Sequence, residues 1–147
     1  MTRPLLRAAL LATVLPTVTL AQQGVPGAHF IENWDLDGDG QVTLAEASEK
    51  RGEIFYMFDQ DESGALDEAE YNLFDETRQA DMDANEGGHG NGPMRAVNQG
   101  MMRAFNDADG DGVVTEAEFT ARVEDWFNQM DRSGDGVITT DDFGPRG

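Results

Sequence analysis

Two segments of this chain repeat one pattern of apolar positions. Ile54, Phe55 and Phe58 in "ASEKRGEIFYMF" (47–58) correspond to Trp126, Phe127 and Met130 in "FTARVEDWFNQM" (119–130). Apolar residues at i, i+1 and i+4 draw one stripe along a helix. The pattern predicts helical connectors. Gly52 is expected to divide the first into a short exiting and a short entering helix; the second, which lacks glycine, is expected to form one bent helix. Another helix is predicted from Glu68 to about Gln79. A further one starts at Pro93, whose fixed φ suits a first helical turn, and Met101 and Met102 are placed on a helix next to the linker. Trp34, Phe55, Phe58, Trp126 and Phe127 are the expected core.

The connectors are framed by four acidic stretches of twelve residues, starting at Asp35, Asp59, Asp107 and Asp131. The repetition divides the chain into two pairs, 30–81 and 93–147. Between them, 82–92 contains Gly87, Gly88, Gly90 and Gly92 and reads as a flexible linker. Residues 22–29 read as a loose arm. "DMDANE" (81–86) does not extend the series, because its sixth position is Glu86 and its twelfth is Gly92.

Carboxylates crowded this closely repel unless a cation joins them. A hard dication such as calcium takes six to eight oxygens at ~2.3–2.6 Å, which twelve residues can supply. Side chains at positions 1, 3, 5 and 12 and the carbonyl at position 7 are the candidate ligands. Loop one offers Asp35, Asp37, Asp39, the Gln41 carbonyl and Glu46. Loop two offers Asp59, Asp61, Ser63, the Ala65 carbonyl and Glu70. Loop three offers Asp107, Asp109, Asp111, the Val113 carbonyl and Glu118. Loop four offers Asp131, Ser133, Asp135, the Val137 carbonyl and Asp142. Position 6, where a positive φ is needed, is glycine in all four. Position 8 is Val42, Leu66, Val114 or Ile138, apolar because two such loops meet there in a short β-bridge.

These loops resemble those of the EF-hand family. Loops one and three satisfy D-x-[DN]-x-[DN]-G-x₅-E outright; loops two and four do so with one or two conservative changes. The resemblance implies an all-α fold of paired EF-hand helix–loop–helix units with short β-bridges between loops, binding up to four calcium ions. The 24-residue spacing within each pair is similar to that of small secreted bacterial EF-hand proteins rather than to that of calmodulin. In loop four, Asp142 is a methylene shorter than glutamate and Ser133 removes a charge. That loop is expected to bind calcium most weakly, or to prefer magnesium, and it has almost no exiting helix. Asn106 stands directly before loop three where Trp34, Phe58 and Met130 precede the others, so an irregular helix end is expected there.

Charge agrees with a cation-binding role. The 147 residues carry 29 acidic and 10 basic side chains, a formal net charge of −19, and no cysteine. Arg3 and Arg7, the apolar run Ala8–Leu20 and the small residues before Gln22 have the layout of a secretory signal peptide over 1–21. Its removal takes two arginines and leaves −21. Such a charge repels nucleic acid and anionic membrane surfaces. The lack of cysteine rules out disulfides and thiolate zinc sites. No catalytic constellation stands out, so the chain is not expected to be an enzyme. His29 and His89 read as solvent-exposed. The expected function is calcium binding outside the cytoplasm, as buffer, store or calcium-stabilised fold. The alternative is a calcium-dependent interaction module or sensor that exposes an apolar, methionine-containing surface to a protein partner. Partner identity and oligomeric state are left open.

Overall fold

The computed structural model describes residues 24–85 and 92–145. The expected signal peptide, His89 and most of the glycine-rich linker lie outside the described residues. Helix α1 (Ala28–Trp34) enters loop one, which closes in strand β1 (Val42–Thr43). Helix α2 (Leu44–Phe58) runs from loop one to loop two and its strand β2 (Ala65–Leu66), and α3 (Glu68–Ala84) leaves loop two. Helices α4 (Pro93–Gln99) and α5 (Arg103–Asn106) lead into loop three and β3 (Val114–Thr115). Helices α6 (Glu116–Ala121) and α7 (Val123–Met130) connect to loop four, β4 (Val137–Ile138) and α8 (Thr140–Phe143). The fold is thus mostly helical with small antiparallel bridges, consistent with helix–loop–helix units. Among the described residues, no helix is long and apolar enough to cross a membrane.

The two connectors exchange their expected forms. Gly52 lies inside an unbroken α2, where a Cβ would meet nothing within 4 Å. One glycine costs a helix only about 0.5–1 kcal/mol relative to alanine. That is too little to divide a helix whose face buries Ala47, Arg51, Phe55 and Phe58. The second connector breaks at Arg122, where ψ is 0°. Tertiary packing accounts for that break: Phe119 before it packs on Phe55, with ring centroids 6.0 Å apart, and Trp126 after it packs on Trp34 at 4.8 Å.

Other boundaries shift by a turn. Helix α3 passes Gln79 and takes in 82–84 of the expected linker, held by the side-chain bond from Gln79 to Asp83 and by His29 against Asp81. Ala28 and His29 of the expected arm already belong to α1. The turn before α1 is anchored as well. Gly27 has φ +79° and lies so close to Phe143 that a Cβ would come within 2.2 Å of its ring. Met101 and Met102 sit in the turn between α4 and α5, the first buried and the second exposed.

Loop pairing departs from the expected order. β1 pairs antiparallel with β4, and β2 with β3; the position-8 residues face each other as Val42 with Ile138 and Leu66 with Val114. Loop one therefore meets loop four, and loop two meets loop three. The reason is the 24-residue spacing. One helix both leaves loop one and enters loop two, and the 15 residues of α2 separate those loops by about 22 Å at ~1.5 Å per residue. Consecutive loops sit at opposite ends of a rod and cannot bridge. α2 instead packs against α6 and α7, so that the loops meet two by two, one with four and two with three.

One hydrophobic cluster fills the centre and includes Trp34, Phe55, Phe58, Trp126 and Phe127 as expected. Its aromatic contacts gather behind the two bridges. Phe30, Trp34, Trp126 and Phe143 pack behind loops one and four; Phe55, Phe58, Tyr71, Phe74 and Phe119 pack behind loops two and three.

Candidate metal centre

Each loop folds around its own first aspartate. The position-6 N–H groups of Gly40, Gly64, Gly112 and Gly136 donate to Asp35, Asp59, Asp107 and Asp131 at 2.7–3.0 Å. All four glycines have φ between +80° and +89°, a region costly for residues with a Cβ. Position 3 accepts from the N–H of position 5: Asp37 from Asp39, Asp61 from Ser63, Asp109 from Asp111, and the Ser133 hydroxyl from Asp135. Position 5 turns towards position 7. Asp39, Asp111 and Asp135 accept from the N–H groups of Gln41, Val113 and Val137, and the Ser63 hydroxyl donates to the Ala65 carbonyl at 3.0 Å.

The position-12 carboxylate closes each loop. Glu46, Glu70, Glu118 and Asp142 are also the third residue of their helices, in capping boxes with Thr43, Asp67, Thr115 and Thr139. One oxygen accepts from the capping residue's N–H, and the other from position 2: Leu36, Gln60, Ala108 or Arg132. Asp142 spans the same two N–H groups as the longer glutamates, at 2.9 Å each. Arg132 assists by donating to the carbonyls of Asp142 and Gly144, which ties down the short α8.

Three loops bring three carboxylates within 4.8 Å of one another: Asp35, Asp37 and Asp39; Asp59, Asp61 and Glu70; Asp107, Asp109 and Glu118. Among the described residues, Asp131, Asp135 and Asp142 of loop four do not form such a group. The donors in these groups are all carboxylate oxygens, with no sulfur or imidazole. That donor set fits a hard dication, calcium or magnesium, rather than a thiolate-bound metal.

Electrostatics separate the carboxylates of loop one. The N–H of Gly40, outweighing desolvation, and those of Gly38 and Asp39 hold Asp35 below its ordinary value. Asp37 also gains from the Asp39 N–H. Desolvation and the charges of Asp39, Glu46 and Asp35 nevertheless raise it overall. Glu46 and Glu118 are lowered, chiefly by the N–H groups of Thr43 and Thr115. Asp61 is lowered chiefly by the Ser63 hydroxyl.

Loop two holds one unmarked departure. Position 4 is Gly38, Gly110 and Gly134 in the other loops, all with positive φ; in loop two it is Glu62, at φ +56°.

Behind loops two and three lies a polar group that the sequence reading missed. Arg51 is completely buried. Its guanidinium donates to the carbonyls of Phe119 and Gly100 and, at 2.6 Å, to Oδ1 of Asn106. It stacks over the Phe119 ring at 4.3 Å and, among the described residues, has no carboxylate hydrogen-bonded to it. Asn106, also fully buried, donates to the Tyr71 hydroxyl and to the carbonyls of Gly100 and Met102. Tyr71 donates to the Met101 carbonyl. Asn106 thus ends a four-residue α5 with its side chain turned into the core. The signal was present: Arg51 shares the apolar stripe of Phe55 and Phe58, one turn earlier. Burial pushes the guanidinium down to about 10, still charged at neutral pH, and pushes the Tyr71 phenol up to about 12.

A cleft of about 380 Å³ opens between α1, α2, α3 and α4, and Met57, Met82, Met94 and Met101 all contribute to its wall. His29 stands at its edge on α1, with Nε2 3.0 Å from Asp81.

A protein-family model described as EF hand matches residues 123–144, which span α7, loop four and α8. No curated protein matches the chain significantly. The family match and the acidic groups of the first three loops support an EF-hand protein and suggest calcium binding.

Proposed function

We propose that this protein binds calcium outside the cytoplasm through four EF-hand loops, as a buffer or store or as a fold completed by the metal. The observation that carries this reading is the set of three oxygen-only carboxylate groups in successive loops, each built on positions 1 and 3 and completed by position 5 in loop one and by position 12 in loops two and three. Positions 1, 3, 5 and 12 would supply side-chain oxygens, and position 7 its carbonyl. Loop four, with Ser133 and the shorter Asp142, is the weakest site, or the one best suited to magnesium's smaller shell. The N-terminal pattern at 1–21 supports export, after which a charge of −21 favours cations over nucleic acid or anionic lipid. Neutralising the crowded carboxylates tightens the fold, so the metal-free chain is looser at low salt. No enzymatic activity is assigned.

Calorimetric titration of the chain lacking residues 1–21, with calcium and then magnesium, tests this directly. Heat saturating at three or four calcium ions per chain supports the reading. Absence of binding at millimolar calcium overturns it.

A second reading, a calcium-dependent interaction module, is favoured by the methionine-lined cleft, because thioether side chains adapt to varied apolar partners. A dye that fluoresces on apolar surfaces separates the two: calcium raises its signal for a module and lowers it for a buffer.

A further inference from the structure

The buried polar group behind loops two and three touches both loops at their ends. Tyr71 follows Glu70, position 12 of loop two. Asn106 precedes Asp107, position 1 of loop three. Phe119 follows Glu118, position 12 of loop three. Arg51 holds the Phe119 carbonyl through Nε and Nη2, at 3.0 and 2.7 Å, and the Asn106 side chain through Nη2. Asn106 in turn donates to the Tyr71 hydroxyl at 3.0 Å. One guanidinium is therefore linked to the chain neighbours of three candidate ligands drawn from two loops.

We propose that Arg51 is a positioning residue that couples cation binding in loop two to cation binding in loop three. This rests on the calcium-binding reading above. Closure of a loop on a cation moves the helix that carries its position-12 carboxylate. In loop three that helix carries the Phe119 carbonyl; in loop two it carries the Tyr71 hydroxyl. Neither can shift alone without stretching hydrogen bonds of the network that runs from Phe119 through Arg51 and Asn106 to Tyr71, which is closed to solvent. Movement at Glu118 is passed through Arg51 and Asn106 to Tyr71 and Glu70, and the reverse follows by linkage. Loops one and four lack this connection. They share the β1–β4 bridge and the aromatic contacts behind it; Arg51 touches the Trp126 ring there at 5.1 Å but, among the described residues, donates no hydrogen bond to a neighbour of their candidate ligands. The bridge between loops two and three is a separate link, so the contribution of Arg51 is what remains to be removed when that bridge is intact.

The experiment is a mutant cycle in calcium affinity, read loop by loop by NMR at the amides of Gly112 and Gly136. In the otherwise wild-type chain, Glu70→Gln is expected to weaken loop three by about tenfold, within the usual range of coupling between sites. In Arg51→Met the same change should weaken loop three by less than about twofold, with Leu66 and Val114 still protected from exchange. The effect of Glu46→Gln on loop four should be the same in both backgrounds, which general destabilisation would not produce. Tyr71→Phe removes only a hydroxyl and serves as the gentler variant; it should reduce the coupling between loops two and three, and it decides the matter if Arg51→Met does not fold. In the metal-free protein, Glu70→Gln should shift the Asn106 side-chain amide signals, and Tyr71→Phe should abolish that shift. Coupling retained at full strength in the folded variants, or no coupling between loops two and three in the wild-type chain, overturns the proposal while leaving calcium binding intact. Absence of calcium binding at every loop overturns the functional reading itself.

Discussion

Oδ1 of Asn106 lies 2.6 Å from Nη2 of Arg51, and neither side chain is exposed to solvent. In a chain with 29 acidic residues, the one fully buried cation among the described residues is bound by neutral oxygens. Carbonyls of Phe119 and Gly100 share the task with Asn106, and the faces of Phe119 and Trp126 cover the guanidinium. A buried charge without full hydrogen bonding is strongly destabilising, so each of these acceptors matters to the fold.

Asn106→Leu is expected to destabilise the calcium-loaded protein by about 2–4 kcal/mol, since it removes the shortest acceptor of the buried guanidinium and the donor to the Tyr71 hydroxyl oxygen. The double variant Arg51→Met, Asn106→Leu should cost less than the sum of the two single changes. Urea unfolding of the four chains measures this; simple additivity would refute it.

Two glycines should respond to alanine with opposite signs. Gly52→Ala should stabilise by about 0.5–1 kcal/mol, because the site is helical and open. Gly100→Ala would place a Cβ 1.8 Å from the Trp126 ring and should destabilise by about 1–3 kcal/mol. Thermal melts of both variants give the signs.

Glu62 carries a left-handed backbone that the other three loops assign to glycine. Glu62→Gly should raise stability by up to about 1 kcal/mol, as relief of strain exceeds the added chain entropy. Glu62→Val should lower it. Melting of the metal-free chain, where no ligand field masks the difference, is the suitable measurement.

At position 12, Glu46→Gln and Glu118→Gln are each expected to cost more calcium affinity than Asp142→Asn. The first two replace a carboxylate by a neutral amide in loops that hold three carboxylates within 4.8 Å, whereas among the described residues loop four brings no such group together. Calorimetry that ranked loop four tightest would contradict this ordering.

Acid should release loop one in two stages. The raised pKa of Asp37 means that this carboxylate takes up a proton first as pH falls, and affinity drops while Asp35 and Glu46 are still charged. Asp35 and Glu46 have depressed values. Their stabilising effect on the metal-free fold is present above the ordinary carboxylate range, about 4, and is lost as pH falls through their lower folded values. Calcium titrations between pH 7 and 4 on wild type and Asp37→Asn test the order: the variant should bind more weakly at neutral pH and lack the first acid step.

The loops were legible because their chemistry is local. Twelve consecutive residues contain the first aspartate, the glycine that lets it accept from the chain, the apolar bridge residue and the closing carboxylate. The partners of the loops were not legible from the repeat alone. Twenty-four residues separate Asp35 from Asp59, a spacing that as sequence suggests neighbours; the 15 residues of α2 within it hold the two loops apart. Gly52 misled because local propensity is weak beside a buried face, and Arg122 broke a helix that no proline or glycine marked. Arg51 could have been noticed as a charge on an apolar stripe, but its acceptors come from residues 49 to 68 positions away in sequence, which no local pattern predicts.

The crossed bridges mean that neither half of the polypeptide owns a complete sheet. A protein cut between Asn85 and Gly92 should therefore stay whole in solution, its pieces gripping one another through Val42 with Ile138 and Leu66 with Val114. Produced separately, residues 24–85 and 92–145 should behave as sticky, poorly ordered partners that recover a single sedimenting species only when mixed.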